Sequence, residues 1–274
     1  MKFICPKCKG ALTVTEGGAA KCPIGHSYDR AKEGYYNLLL SSTGGTHGDN
    51  REMVVARRAF LDTGAYLPLA ERVAELASEH TREGGTLLDA GCGEGYYTHI
   101  INEKAKNANK DLHILGFDIS KEAVRLASKR DRELSLAVAS SYDIPLSDSS
   151  VDTAVNVFSP LALSETARIL RTGGAFIMAI PAERHLFGLK SVLYDTPYLN
   201  TPESDELSGF ELISREKIAY ELTLDTQEKI NSLFMMTPYA YRTSIEGKAR
   251  LASLASLKTE VEFYLFVYRK NAEK

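Results

Sequence analysis

The segment Thr86-Leu87-Leu88-Asp89-Ala90-Gly91-Cys92-Gly93-Glu94-Gly95-Tyr96-Tyr97-Thr98 restricts the chain more than any other. Its apolar start reads as a buried strand, its glycine-rich stretch as a tight turn, and Tyr96 onward as the start of a helix. Strand, glycine turn and helix in that order form the first unit of a doubly wound α/β sheet, where the turn brings the backbone close to a ligand. A dinucleotide site asks for G-x-G-x-x-G, whose third glycine lets the helix pack closely. Here the glycines fall at 91, 93 and 95, and Tyr96 takes that third place. Cys92 is then a small residue within the turn, with Glu94 following Gly93. Asp89 precedes the turn, and its carboxylate would repel a pyrophosphate but suits a ligand with a cationic amino acid end.

The alternation continues. Leu112-His113-Ile114-Leu115-Gly116-Phe117-Asp118 reads as a second strand, ending in a carboxylate 23 residues after Gly95. A carboxylate there can accept both hydroxyls of a ribose. A helix over 120–130 follows, with Ser120 as its N-cap, and then a strand over 134–139. That strand runs into Ser140-Ser141-Tyr142-Asp143-Ile144-Pro145-Leu146, placed to touch an adenine. Strand 151–158, helix 161–170, the turn Arg171-Thr172-Gly173-Gly174 and strand 175–180 complete the series, and a helix over 69–79 precedes it. This spacing predicts a parallel sheet with helices on both faces. Residues 218–224 and 260–268 alternate apolar and polar, predicting an antiparallel pair at the sheet edge, with helices over 226–236 and 244–257.

Three of the four cysteines lie within the first 22 residues. Cys5-Pro6-Lys7-Cys8, thirteen further residues and Cys22-Pro23-Ile24-Gly25-His26 have the spacing of a tetrahedral zinc site. Cys5, Cys8, Cys22 and His26 leave no open coordination position, so the zinc would be structural. So short a module cannot build a core alone, and the metal would supply much of its folding free energy. Redox pairs are the alternative, but Cys22 has no partner at Cys-x2-Cys spacing. The reading divides the chain into a zinc module over 1–34, a connector over 35–64 and a core domain over 65–274. The connector contains a polar, glycine-containing hinge over 41–50 and an amphipathic helix over 51–61. Loss of the metal is expected to unfold 1–34 and leave the core largely intact.

The net charge of −3 is unevenly spread. Residues 1–60 hold nine Lys/Arg against five acids, and the remaining 214 hold 24 against 31. A basic head on an acidic body suits a polyanionic partner met by the N-terminal region. Lys32, Arg51, Arg57 and Arg58 can face phosphates there, or form the solvated side of a packed helix. A composition 44% apolar and 25% charged excludes disordered and collagen-like chains. No apolar run reaches the roughly 18 residues of a membrane span, and the N-terminus lacks a secretory signal's apolar stretch. A cytoplasmic protein without membrane contact is expected.

Residues 89–95, Asp118, residues 140–145 and Leu170-Arg171-Thr172-Gly173-Gly174 together resemble the class I S-adenosylmethionine-dependent methyltransferases. A narrower resemblance covers nearly the whole chain. The zinc ligands, Ala31-Lys32-Glu33-Gly34-Tyr35, Ala56-Arg57-Arg58-Ala59-Phe60-Leu61-Asp62, the glycine turn, Pro181 with Arg184-His185-Leu186, and Met236-Thr237-Pro238 are similar to the RlmA-type 23S rRNA guanine-N(1) methyltransferases. The resemblance implies a Rossmann-like class I α/β fold carrying a zinc-binding RNA-recognition module, a 23S rRNA substrate and a homodimer. It implies S-adenosylmethionine held by Tyr66, Asp89, Gly91, Cys92, Gly93, Glu94, Gly95, Asp118, Ser140, Ser141 and His185. The chain departs from the family at Asn156-Val157-Phe158-Ser159-Pro160.

Asn156, Ser159 and His185 are candidates for lining the acceptor pocket, being at or just past strand ends. The Asn156 amide can position a base edge but cannot act as a base. His185 can take a proton or hydrogen-bond the cofactor, and the resemblance favours the second. Tyr66 meets the cofactor by resemblance, or is a packed aromatic. Tyr239, Tyr241 and Arg242 can stack on an RNA base or belong to the core. No residue is assigned as general base. Two other readings compete: a small-molecule methyltransferase with a structural zinc module, and a non-catalytic RNA-binding zinc protein, against which the intact Asp89, glycine and Asp118 set argues.

Overall fold

The computed structural model describes residues 2–40, 48–202 and 204–272, so most of the hinge expected over 41–50 lies outside the described residues. The cysteine-rich segment forms β1 (Thr13–Val14), β2 (Ala20–Lys21) and β3 (Ser27–Tyr28), a three-stranded antiparallel sheet. Strands this short bury little among themselves. Phe3, Leu12 and Ala20 instead join one buried cluster with Phe117, Ile144 and Leu146. The Ile4 N–H donates to the Pro145 carbonyl at 2.9 Å, Lys9 Nζ to Asp143 at 2.5 Å, and Lys2 Nζ to the Thr86 hydroxyl at 2.7 Å. The ribbon is therefore packed and hydrogen-bonded onto the sheet domain, contacts that the expectation of independent unfolding did not include.

Residues 35–64 do more than connect. They add β4 (Tyr36–Asn37), pairing parallel with residues 137–138, and α1 (Arg51–Leu61), whose N-cap Asn50 accepts the Met53 N–H at 2.9 Å. Next comes α2 (Leu67–His80), which buries the stripe Leu69, Val73, Leu76 and Ala77. The alternation follows as β5 (Thr86–Ala90), α3 (Tyr96–Asn107), β6 (His113–Asp118), α4 (Lys121–Arg130), β7 (Ser135–Val138), β8 (Val151–Val157), α5 (Leu163–Ile169) and β9 (Leu170–Pro181). The chain ends with α6 (Phe187–Leu193), β10 (Phe210–Leu224), α7 (Gln227–Met235), α8 (Ile245–Ala252) and β11 (Leu257–Lys270).

The main sheet has the order β10-β11-β9-β8-β5-β6-β7-β4. From β4 to β9 all pairings are parallel, and β11 and β10 close the other edge antiparallel. β5 and β8 are buried throughout, as a parallel strand covered on both faces must be. The chain steps outward from β5 through β6 and β7, then resumes on the other side at β8. That reversal opens a crevice at the carboxyl ends of β5 and β8.

Three expectations change. The edge strands are longer than their alternating stretches, and α8 stops at Ala252, with Leu257 already in β11. Arg171–Gly174 is no free turn but part of β9, where the register against β8 shifts. α6 was not among the expected elements; at its Gly188 a Cβ would fall 2.3 Å from the Lys258 carbonyl, so glycine is what lets α6 lie on β11.

Candidate active site and metal centre

A cavity of about 1310 Å³ occupies the crevice. Its floor is the glycine turn. Gly91 has φ +84°, and a Cβ would land 2.0 Å from Ser159 Oγ, so only glycine lets the turn pass this close to the end of β8. Gly95 has φ +85° and caps α3, where a Cβ would fall 2.8 Å from the Ala127 Cβ of α4. The N–H groups of Gly91 and Cys92 both donate to the Phe117 carbonyl at 2.9 Å, tying the turn to β6.

Asp118 ends β6 at the cavity wall and accepts the Gly93 N–H on Oδ2 at 3.0 Å and the Ser120 N–H on Oδ1 at 2.8 Å. Burial raises its pKa, and those two N–H groups oppose the rise. Each oxygen has a second lone pair, so the carboxylate can still accept two hydroxyls. Gly91, Cys92, Gly93, Glu94, Ser140, Ser141, Tyr66 and His185 line the same cavity. Asp89 and Gly95 lie behind its wall. The buried Asp89 carboxyl accepts the Thr98 hydroxyl at 2.6 Å, and burial pushes its pKa up to about 7.

Tyr66 and His185, distant in sequence, form a pair here. The Glu262 N–H donates to His185 Nδ1 at 3.3 Å, so in the neutral ring the proton is assigned to Nε2, which lies 3.3 Å from Tyr66 Oη. The Tyr66 hydroxyl proton is then available to another acceptor. Burial, helped by the charge of Lys190, pushes His185 down to about 3, and burial raises Tyr66 well above its ordinary value. His185 is thus a fixed hydrogen-bonding group near neutral pH and a weak base. Asn156, buried at the end of β8, and Ser159 also line the cavity. Phe158 adopts φ +57°, a strained value for a bulky residue, and its ring packs near those of Tyr66, Tyr97 and Phe263.

Two features escaped sequence reasoning. Glu94 is buried, with Oε2 held by Arg130 at 2.6 Å, while its Oε1 has no partner among the described residues; the buried Tyr97 hydroxyl has none among them either. Both residues line the cavity, although these two atoms themselves are sealed from solvent. The arginines offered as phosphate contacts behave differently. Arg57 faces the cavity and pairs with Asp49, and Arg58 pairs with Asp62 at 3.6 Å and donates to the Leu126 carbonyl at 3.4 Å. Tyr239 lines the cavity, and Tyr241 is exposed and accepts from Asn50 Nδ2 at 2.6 Å.

In the ribbon, Cys5, Cys8, Cys22 and His26 bring their ligand atoms within 4.8 Å of one another. His26 Nδ1 lies 3.4 Å from the Sγ atoms of both Cys5 and Cys22, and Cys8 Sγ lies 3.5 Å from Cys22 Sγ. A tetrahedral zinc with arms of about 2.0–2.3 Å requires edges of about 3.3–3.8 Å, so the donor set fits. Burial opposes ionisation of Cys5, but the Tyr28 hydroxyl at 3.2 Å and the Cys8 and Lys7 N–H groups outweigh it and bring the thiol to about 6.

Residues 81–234 match the family described as a methyltransferase domain, and residues 3–41 match the one described as RlmA, N-terminal. A structure from Anaeromyxobacter dehalogenans, assigned by name to the type II methyltransferases, agrees in fold, with a TM-score of 0.52 and 19% identity over 74% of this chain and 97% of that one. The protein is therefore a methyltransferase of the class I Rossmann-like fold. A 23S rRNA (guanine(748)-N(1))-methyltransferase of Streptomyces fradiae is 33% identical over 90% of this chain and 88% of its own. YxjB of Bacillus subtilis, assigned by name to the guanine-N(1) methyltransferases of 23S rRNA, is 31% identical over 98% of this chain and 97% of its own. The chain belongs to the 23S rRNA (guanine-N(1))-methyltransferase family.

Proposed function

We propose that this chain moves a methyl group from S-adenosylmethionine to N(1) of a guanine in a loop of 23S rRNA, as a cytoplasmic homodimer. The dimer rests on the family resemblance and the compartment on the sequence reading; no helix among the described residues is long and apolar enough to cross a membrane. In this reading residues 1–34 are the zinc-binding RNA-recognition module, 35–64 the connector and 65–274 the catalytic domain.

The observation that carries the reading is the joint presence, in one cavity at the sheet's reversal point, of the Gly91–Glu94 stretch of the turn and an Asp118 carboxylate with two open lone pairs. S-adenosylmethionine, when bound, supplies an electrophilic methyl on a sulfonium. Asp118 accepts the ribose hydroxyls, Ser140 and Ser141 flank the adenine, and the turn with Glu94 meets the cationic amino acid end. Tyr66, oriented by His185, offers its hydroxyl to the same ligand. Asp89 acts indirectly, holding Thr98 and the start of α3 beneath the turn. Cys5, Cys8, Cys22 and His26 hold a structural zinc.

On the acceptor side, the Asn156 amide can hydrogen-bond the guanine edge but takes no proton, and His185 is too weak a base. Alignment of the reactants is then the main source of acceleration, supplying up to about 7–11 kcal/mol in favourable cases. A base inside a duplex cannot reach the cavity, so a loop target or an extruded nucleotide is required.

Mass mapping of methylated nucleotides in large-subunit rRNA from cells lacking the protein tests this. The expected result is loss of one N(1)-methylguanine. A full complement of rRNA methylation, with activity on a metabolite pool instead of stripped rRNA, would establish the small-molecule reading.

A further inference from the structure

Lys190 of α6 is fully buried, and its ammonium meets no carboxylate among the described residues. Burying a cation without a counter-ion is costly, and burial lowers the pKa of this one. Its partners are neutral. Nζ donates to Asn200 Oδ1 at 2.6 Å and to the Tyr198 carbonyl at 3.2 Å. It also lies 4.4 Å from the centroid of the Tyr198 ring and 5.7 Å from that of Tyr239.

Asn200 completes the clasp. Its Nδ2 donates to the carbonyls of Ala182 at 2.8 Å and His185 at 3.3 Å, and its backbone N–H to the Glu183 carbonyl at 2.8 Å. One ammonium thus joins the segment after α6 to the loop that carries His185. Tyr198, Asn200 and His185 all line the cavity, and Tyr198 remains 50% exposed although its ring is pinned. An aromatic ring held still at a cavity wall with surface free is what an unstacked nucleobase needs.

We propose that Lys190 is a positioning residue that holds Tyr198 as the aromatic face on which the acceptor base stacks. The inference rests on the RNA reading of the cavity. It predicts a division of labour: Lys190 and Tyr198 serve the acceptor, while the glycine turn and Asp118 serve the cofactor.

The chain contains no tryptophan, so Tyr198→Trp introduces a single reporter at this wall. Adding Lys190→Met to Tyr198→Trp should raise acrylamide quenching about twofold or more and lower the anisotropy; unchanged values overturn the clasp. In steady-state kinetics on a 23S rRNA fragment, Lys190→Met and Tyr198→Ala should each raise KM for RNA about tenfold. S-adenosylhomocysteine affinity should stay within about twofold in Tyr198→Ala, which leaves the Asn200 bonds to the His185 loop in place. An unchanged KM in Lys190→Met, or parallel loss of S-adenosylhomocysteine affinity in Tyr198→Ala, overturns the assignment. Should Lys190→Met fail to fold, Asn200→Ser cuts the same clasp and takes its place. A wild-type protein inactive on rRNA would instead sink the substrate reading, and the fluorescence result would still decide whether Lys190 holds Tyr198.

Discussion

Ile4 and Pro145 are joined by a 2.9 Å backbone hydrogen bond, which links the residue preceding the first metal ligand to the loop that begins at Ser140. With Lys9 on Asp143 and Phe3 packed in one cluster with Ile144, the ribbon braces that loop from outside. Removing the metal by chelation, or substituting Cys8→Ser, should therefore weaken S-adenosylhomocysteine binding about tenfold as the ribbon unfolds, a loss of the size of one or two hydrogen bonds. Metal analysis alongside calorimetry checks this. A zinc-free protein with an unaltered dissociation constant would show that the loop stands on its own.

Asp118→Ala removes the acceptor at the end of β6. Losing charge-assisted hydrogen bonds to a ribose should weaken cofactor binding by about 1.5–3 kcal/mol. Isothermal titration with S-adenosylhomocysteine measures it directly, and an unchanged affinity removes Asp118 from the site.

The glycines of the turn should differ in sensitivity. At Gly91 a Cβ meets Ser159 Oγ at 2.0 Å, whereas at Gly93 nothing lies within 4 Å. Both have positive φ, which costs an alanine about 1–2 kcal/mol, so Gly93→Ala should lose little more than that in urea unfolding. Gly91→Ala should lose clearly more, since backbone or Ser159 must also shift. Equal losses would mean that the close approach to β8 is slack.

Stability should depend on pH through two buried groups of opposite sense. His185 is held near 3, below its unfolded value of 6.5, so the unfolded chain takes up a proton that the fold refuses. Its contribution is full above about 6.5 and is lost as pH falls toward 3. Asp89 is raised from 3.8 to about 7, so its contribution is full below 3.8 and lost as pH rises through 7. Between pH of about 4 and 6.5 the two slopes offset each other in wild type, so the melting temperature of His185→Phe should fall more with rising pH than that of wild type, and that of Asp89→Asn should rise more. Parallel wild-type and variant curves would contradict both assignments.

If the ribbon reads RNA, its exposed cations meet the phosphates, and Lys7, Lys21 and Lys32 are exposed while Arg57 and Arg58 are engaged within the fold. Replacing the three lysines with alanine should weaken rRNA-fragment binding and lower its salt slope by about 0.7–0.9 for each phosphate that the variant no longer neutralises. S-adenosylhomocysteine affinity should not change. A wild-type salt slope in the triple variant would place the RNA-binding surface elsewhere.

What the sequence determined by itself was local. The Cys5-x2-Cys8 and Cys22-x3-His26 spacings, the strand–turn–helix around Gly91, Gly93 and Gly95, and the carboxylate ending β6 are each set by residues a few positions apart. Such signals are legible because a turn or a strand end obeys its own short-range geometry. The tertiary structure decided the partners. Arg57 and Arg58 could face phosphates or solvent until Asp49 and Asp62 came beside them, and Glu94, offered to the cofactor, showed no partner in the sequence until Arg130 took one of its oxygens. Tyr66 and His185, 119 positions apart, became a neutral hydrogen-bonded pair only through burial, and the need for glycine at 188 lies across the chain at Lys258. A sequence displays which groups can be charged, but burial and pairing decide which of them are, and both arise only when distant segments pack.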